Sequence, residues 1–123
     1  MEPTPFNPKS LLNVKIAKGE KLIKTLEILY LKGMDKHTLV YFTDGICLET
    51  HHMLKWYEKK LLTPQYCRCH KSFIVNCFYI DCTCGNNSIM KKDNIRIPVS
   101  NKYRECYRDN LERYQERDGY KNV

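Results

Sequence analysis

The sequence predicts a mainly β domain with short peripheral helices and one longer helix near its C-terminal end. Three observations predict this fold class. Residues 36–43 alternate between two faces, and residues 26–31 are rich in strand-forming side chains. Residues 51–61 and 101–115 instead place apolar side chains at helical spacing. The chain has 123 residues and 42% hydrophobic content, which suits one domain with a single core.

Residues 1–14 are predicted to form an N-terminal arm. The first ten carry three prolines and no periodicity, so we expect the strands to begin at Lys15, within a single domain spanning 15–123. Residues 32–35 are predicted to be a loop between the first two long strands. The Asp-Gly sequence at 44–45 predicts a hairpin turn with positive φ at both central positions, followed by a short strand.

The second half of the domain is predicted to alternate short strands with turns. The apolar run at 73–76 is expected to be a buried turn or strand, and a turn at 85–87 separates strands at 80–84 and 89–91. Another strand is expected at 95–97. The helix at 51–61 is expected to bury one face, formed by Met53, Trp56, Tyr57 and Leu61. The last helix is predicted to have Ser100 as its N-cap and Gly119 beyond its end.

Charge and hydropathy narrow the class of partner. The net charge of +7 and the pI near 9.0 favour an anionic partner, because each lysine or arginine placed on a phosphate releases counterions. No run of about 18 apolar residues exists to span a bilayer, and the N-terminus lacks a secretory pattern. We therefore expect a cytoplasmic protein with no membrane partner.

The seven cysteines leave one alternative open, a cysteine-rich zinc-binding interaction module. Five cysteines and a histidine fall close together: Cys67, Cys69, His70, Cys77, Cys82 and Cys84. Their Cys-x-Cys pairs differ from the usual spacing of structural zinc sites, and several lie in apolar runs. A thiol enzyme is disfavoured, since the sequence has neither a Cys-x-x-Cys motif nor a nucleophile elbow.

The aromatic residues raise a further alternative, binding of single-stranded nucleic acid. The nine tyrosines and four phenylalanines could stack single-stranded bases, but most lie at the periodicity of core residues.

The nine residues at 68–76 form the most specific motif of the chain. They read arginine, cysteine, histidine, lysine, serine, phenylalanine, isoleucine, valine and asparagine, and Ile97–Ser100 follows some 20 residues later. This motif resembles the signature of the LytTR family of bacterial DNA-binding domains at every position. The upstream order of strand, loop, hairpin and helix also matches, so the resemblance covers roughly 15–107.

The resemblance implies an elongated fold of small antiparallel sheets and recognition of double-stranded DNA through loops. The family's three DNA-contacting loops place His37, Lys71 and Asn101 at the contact positions. Lysine can reach guanine or a phosphate, asparagine can pair with adenine, and histidine can donate to a base or a phosphate. The family often has arginine where this chain has Asn101, and Lys102 is expected to supply part of that charge.

Other residues around the motif are predicted to contact phosphates or to have structural roles. Arg68 is a candidate either for a backbone phosphate or for bracing a sheet edge. His70 is expected to be a hydrogen-bonded structural residue, and Ser72 and Asn76 to satisfy turn backbone groups. Further candidate phosphate contacts, which position a protein without reading sequence, are Lys91, Lys92, Arg96, Lys102 and Arg104.

The expected function is that of a sequence-specific transcriptional regulator, not an enzyme, that needs no cofactor. The family implies binding of two copies to direct repeats, and a homodimer on DNA is a further expectation. Family members commonly carry a receiver domain ahead of this module, which takes on the order of 100 residues. Because few residues precede the first predicted strand, the chain is expected to be either a stand-alone regulator or an excised response-regulator output domain, and the starting Met1 favours the former.

Overall fold

A computed structural model describes residues 10–116. The strands are β1 (Leu11–Ile16), β2 (Gly19–Lys24), β3 (Ile28–Met34), β4 (His37–Phe42), β5 (Cys47–Thr50), β6 (Tyr66–His70), β7 (Phe73–Asn76), β8 (Ile80–Cys84), β9 (Asn87–Met90) and β10 (Arg96–Pro98). The α-helices are α1 (Leu54–Lys60) and α2 (Asn101–Tyr114), and 3₁₀ turns lie at Thr25–Glu27 and Cys77–Tyr79. The predicted mainly β class with a C-terminal helix is confirmed.

The strands form three antiparallel sheets. The largest has the order β5-β4-β3-β7-β6, and two smaller sheets have the orders β1-β2 and β10-β9-β8. β4 alternates as predicted, with Thr38 and Val40 fully buried and Leu39 and Tyr41 partly exposed. Small sheets of this kind leave many strand ends, and therefore many loops, at the surface.

The core consists of two clusters, one on each face of the five-stranded sheet, rather than the single core that was expected. In β7, the neighbours Ile74 and Val75 point to opposite faces and join different clusters. α1 covers the cluster that contains Ile74, through Leu54 and Tyr57. α2 covers the cluster that contains Val75, to which Tyr107 also belongs. Each face of the sheet is thus closed by one helix.

The first strand begins before the predicted position. β1 starts at Leu11 and pairs with β2 along its whole length, so residues 11–14 belong to a sheet and not to an arm. The physical reason is burial, because Val14 is fully enclosed in the core cluster that α1 covers. The rest of the predicted arm, 1–9, and Gly119 lie outside the described residues.

Two predicted turns differ in detail. β3 continues through Met34, so the expected loop at 32–35 is a two-residue turn in which Asp35 has φ 60°. The hairpin at Asp44-Gly45 exists, but of its two predicted central residues only Gly45 has a positive φ. The Gly45 N–H donates to the Phe42 carbonyl, which gives the three-residue hairpin loop whose last position suits glycine.

α1 is shorter than predicted and buries a shifted face. His52 is held outside the helix, since its Nε2 accepts from the backbone N–H of Lys15 at 3.1 Å. Burial and the nearby Lys15 charge lower the pKa of His52, which keeps this ring nitrogen free to accept. Helical turns therefore begin at Leu54, which is buried, while Met53 is 52% exposed at the N-cap.

α2 occupies the predicted range and buries Tyr107 and Tyr114. Ser100 lies at its N-cap with extended backbone, but its side chain makes no capping hydrogen bond. Instead, the Tyr103 N–H donates to the Ser100 carbonyl at 3.0 Å. Within residues 10–116, neither helix has the length and apolar character that a membrane crossing requires.

Candidate nucleic-acid interface

Three connections meet at one end of the five-stranded sheet. The β3–β4 turn touches the β6–β7 turn, because the Gly33 N–H donates to the Ser72 carbonyl at 2.7 Å. The start of α2 reaches the same end, since the Ser100 N–H donates to the Cys69 carbonyl at 3.0 Å. These are the three loops on which His37, Lys71 and Asn101 were predicted, so long-range pairing brings them together.

The β5–α1 connection joins this end through a chain of buried hydroxyls. The Tyr57 hydroxyl donates to the Thr50 hydroxyl at 2.6 Å, and that hydroxyl donates to the Thr38 carbonyl at 2.9 Å. The Thr38 hydroxyl donates to the His52 carbonyl at 2.8 Å. Burial raises the pKa of Tyr57 to about 12, so its hydroxyl stays protonated and remains a donor. The connection is therefore fixed to β4 rather than free.

A groove of about 500 Å³ runs between these loops. Its lining includes the partly buried Arg68 and the exposed cations Lys55 and Lys71. The residues lining it come from every connection at this end: Gly33, Asp35, Met53, Leu54, Lys55, Glu58, Arg68, Lys71, Ser72 and Tyr103. The groove is thus the place where the loops, the start of α1 and the first turn of α2 approach one another.

Lys71 and Asn101 present exposed side chains at this end. Lys71 lies in the tight turn between β6 and β7, and Asn101 is the first residue of α2. Lys102 is exposed beside it, with its Nζ 5.9 Å from the centre of the Tyr103 ring. A long cation and an amide at neighbouring loop tips can each reach a partner outside the domain.

Arg68 holds this arrangement together. Its Nε donates to the His70 carbonyl at 2.8 Å and one terminal nitrogen to the Lys71 carbonyl at 2.5 Å. The other terminal nitrogen pairs with Glu58 of α1 at 2.7 Å, and the guanidinium lies 5.4 Å from the Tyr103 ring centre. All three nitrogens thus contact protein acceptors, which favours the bracing role over a phosphate contact.

His37 opens β4 and has two side-chain partners. Its Nδ1 lies 2.7 Å from Glu49 Oε2, and its ring stacks on His51 with centroids 4.3 Å apart. The His37 side chain is 42% exposed, so the ring is accessible from solvent. The sequence alone did not indicate these partners, because Glu49 and His51 come from the next strand and its end.

Sequence reasoning missed a group of cations beside His51. A shallow groove of about 430 Å³ is lined by Lys36, His51, His52, Met53, Lys55, Trp56 and Lys59. Its three lysines come from the β3–β4 turn and from α1. The signal in the sequence was the spacing of the lysines in 51–61, a segment in which only the apolar face was considered. The three lysines of this groove extend the positive surface from Lys71 toward His37.

Two of the predicted contacts lie elsewhere. Lys92 is in the β9–β10 turn, beside Asp93, whereas α2 follows the other end of that hairpin, after Pro98. Arg96 is exposed on β10 and pairs with Ile89 within the small sheet. The structure therefore does not bring Lys92 to the three loops.

Lys91 and Arg104, two further candidate phosphate contacts, lie near other side chains and away from the groove. Lys91 places its Nζ 5.5 Å from the Phe78 ring centre. Arg104 donates a hydrogen bond to the side-chain oxygen of Asn86. Both contacts lie outside the groove that Lys71 and Tyr103 line.

The structural roles predicted for His70 and Asn76 are confirmed. The Ser72 N–H donates to His70 Nδ1 at 3.0 Å, so His70 shapes the β6–β7 turn. Asn76 is fully buried, donates to the Ile28 carbonyl at 2.7 Å and accepts from the Phe78 N–H at 3.0 Å. These two side chains form the backbone contacts that fix the ends of β7.

Among the described residues, no three cysteines have their sulfur atoms close enough together to hold one metal ion. Cys67, Cys69 and Cys77 are buried in the core, and Cys82 and Cys84 are exposed on β8. Burial raises the pKa of Cys67, and that of Cys69 and Cys77 to about 12, which keeps these thiols protonated. Because a structural zinc site needs four ligands around one ion, this arrangement gives no support to the zinc-module alternative.

Comparison with known proteins decides the family. Residues 18–112 match the family described as the LytTr DNA-binding domain. The chain belongs to the LytTR family. A solved structure described as the LytTr DNA-binding domain of a methyl-accepting/DNA response regulator from Bacillus cereus is similar, with a TM-score of 0.65 and 27% identity. That match covers 83% of this chain and 96% of the other. No curated protein sequence matches the chain.

Membership explains the surface that the loops form. The LytTR domain is a DNA-binding module of transcriptional regulators, and double-stranded DNA is its partner. Its match spans β2 through most of α2, which includes every connection at the loop-bearing end of the sheet. The cations at this end have the charge that a phosphate backbone requires.

Proposed function

We propose that this LytTR domain binds duplex DNA in a sequence-specific way by placing the three loops of His37, Lys71 and Asn101 in major grooves. The observation that carries the proposal is the meeting of these loops at one end of the five-stranded sheet, where Gly33 bonds to Ser72. Side chains at the tips of neighbouring loops can reach base edges that a flat sheet surface cannot.

The base-reading roles follow from side-chain chemistry. Lys71 is an exposed point charge suited to guanine O6 and N7, and Asn101 is suited to bidentate pairing with adenine. His37 contacts a base acceptor or a phosphate through the ring edge that Glu49 does not occupy. These three residues determine the operator sequence in this proposal.

Positioning on the duplex falls to cations around the loops. Lys102 lies beside Asn101 at the start of α2, and Lys36 and Lys55 line the neighbouring shallow groove. Arg68 acts indirectly by holding the Lys71 turn against α1 and α2. Lys92 and Arg96 contribute to the general positive field rather than to base recognition.

We also propose how many copies bind DNA and in which cellular compartment they do so. Two copies bind direct repeats as a dimer formed on DNA, in the cytoplasm, without a cofactor. Neither copy carries out catalysis. Repeats one or more helical turns apart, about 10.5 base pairs each, place both copies on the same side of the duplex.

Selection from a random duplex DNA pool at about physiological salt tests the proposal. Sequencing of the bound fraction is expected to yield a short motif, enriched as direct repeats. Binding without an enriched motif contradicts sequence-specific recognition. An enriched motif without repeats contradicts the two-copy arrangement but keeps the base-reading roles.

Lys71→Ala is expected to weaken binding to the selected site by about 1–3 kcal/mol while leaving unrelated duplexes less affected. The reason is that removal of a base contact changes discrimination, whereas removal of a phosphate contact does not. Fluorescence anisotropy with selected and scrambled duplexes at one salt concentration measures both affinities.

Lys92→Ala is the matched control, since it makes the same change in the β9–β10 turn, away from the three loops. It is expected to change the affinities for both duplexes equally. Equal losses on both duplexes for Lys71→Ala as well contradict the base-reading role of Lys71.

A further inference from the structure

We infer that His37, Glu49 and His51 form a binding site for a divalent transition-metal ion of the class that prefers imidazole, such as Zn²⁺ or Ni²⁺. Their potential ligand atoms all lie within 4.8 Å of one another. This is a different set from the cysteines that the sequence singled out.

Strand register places the three side chains on one face. Leu39 pairs with Glu49 and Thr38 with Thr50, so the next position along places His37 opposite His51. Opposite and diagonal neighbours on an antiparallel pair share a face and lie within side-chain reach. Thr38 and Thr50 are fully buried on the other face, so the three side chains point away from the core.

The observed distances are close to those of a metal site. His37 Nδ1 is 2.7 Å from Glu49 Oε2, and the His37 and His51 rings are nearly parallel at 4.3 Å. Ligand bonds of about 2.0–2.1 Å in a tetrahedral site separate donor atoms by about 3.3 Å. The His37 and Glu49 side chains are 42% and 58% exposed, so rotation about their own bonds can close the remaining gap.

The ligand chemistry selects the class of ion. Two imidazoles and one carboxylate suit Zn²⁺, Ni²⁺ or Cu²⁺, whereas Mg²⁺ and Ca²⁺ prefer oxygen alone. Three protein ligands leave a fourth position for water. The carboxylate of Glu49 supplies the negative charge of the set, so its removal is expected to weaken binding strongly.

Neighbouring cations act against metal binding. Lys36 precedes His37, and Lys55 and Lys59 line the groove beside His51. Their repulsion lowers the affinity relative to a site without such neighbours. The same cations attract DNA phosphates.

Occupation of the site removes His37 from the DNA interface. This consequence rests on the proposed function, in which the imidazole of His37 contacts DNA. Closing the gap between the ligand atoms rotates the His37 ring from its observed orientation, and coordination then holds it there, so the ring edge opposite Nδ1 no longer points where it contacts DNA. We therefore expect metal ions to lower the affinity for the selected duplex, and not to raise it.

Titration with Ni²⁺ in the absence of DNA tests the site itself. Trp56 is the single tryptophan of the chain, stacks on His52 at 3.5 Å and lines the same groove as His51, so its fluorescence reports a metal bound there. We expect saturable quenching in the full chain. Glu49→Gln and His51→Asn are each expected to raise the half-saturating concentration about tenfold or more.

Glu27→Gln is the matched control, because it makes the same change at an exposed glutamate in another loop. It is expected to leave the titration unchanged. Equal half-saturation in the full chain, Glu49→Gln and His51→Asn overturns the site. Quenching without saturation does so as well.

The DNA experiment separates this inference from the proposed function. Ni²⁺ is expected to weaken binding of the selected duplex in the parent chain, and to have a smaller effect on Glu49→Gln. Unchanged DNA affinity at saturating Ni²⁺ overturns the proposed antagonism between metal and DNA. Whether the metal site exists is then decided by the titration without DNA alone. Failure of the chain to select any motif contradicts the proposed function and leaves the titration result standing.

Discussion

Replacing Arg68 by alanine is expected to destabilise the domain by about 2–3 kcal/mol and to lower specific DNA affinity by about tenfold or more. The guanidinium donates to two carbonyls of the β6–β7 turn and pairs with Glu58, while its face lies near Tyr103. The alanine variant loses all of these contacts at once. The turn that carries Lys71 then loses its fixed position relative to α1 and α2.

Urea unfolding and anisotropy binding measure the two effects separately. Glu58→Gln is the control, because it weakens one partly exposed ion pair, at a cost of about 0–1 kcal/mol, and keeps both carbonyl contacts. If Arg68→Ala lowers affinity for selected and scrambled duplexes equally, with little loss of stability, then Arg68 is a phosphate contact and the positioning role is wrong.

The periodic parts of the fold could be predicted from the sequence. β4 alternates because Thr38 and Val40 face the core, and α2 has its helical pattern because Tyr107 and Tyr114 pack on the sheet. In both elements one face is buried and the other is solvated, so local periodicity records the tertiary environment. The element type and the range of α2 were therefore predicted correctly.

The misplaced boundaries depend on contacts with distant residues. α1 begins at Leu54, and not at His51, because the ring of His52 is fixed by the Lys15 backbone, 37 residues earlier in the chain. β1 begins at Leu11 because its partner β2 and the buried Val14 stabilise it. Neither cause is visible in a local window of sequence.

The site was predicted to a different extent at each loop. Lys71, in the β6–β7 turn, and Asn101, at the start of α2, are exposed at the positions that the family resemblance indicated, and their contacts with DNA stay a prediction. The surroundings of His37 were missed, because Glu49 and His51 approach it through the register of β4 and β5. Lys92 lies away from the loops because its hairpin turn is at the opposite end of β9 and β10. Sequence spacing carried no information about either arrangement.

Asn76→Ala is expected to lower the free energy of unfolding by about 2–4 kcal/mol, a large share of the roughly 5–15 kcal/mol of a typical domain. Asn76 is fully buried where β7 ends, and its amide donates to the Ile28 carbonyl of β3 at 2.7 Å. Its oxygen accepts from the Phe78 N–H and from the Gln65 side chain. Alanine removes these bonds and leaves buried polar groups without that partner.

Urea unfolding followed by circular dichroism measures this loss, with Asn13→Ala as the matched control. Asn13 is exposed and bonds to Glu20 on the neighbouring strand, so its replacement is expected to cost less than about 0.5 kcal/mol. Similar small losses for both variants contradict the role of Asn76. If Asn76→Ala loses much of its free energy of unfolding while the protein that remains folded binds DNA normally, then the last residue of the motif serves the fold and not DNA recognition. Recognition then depends on the turn that Arg68, at the first position of the motif, holds in place.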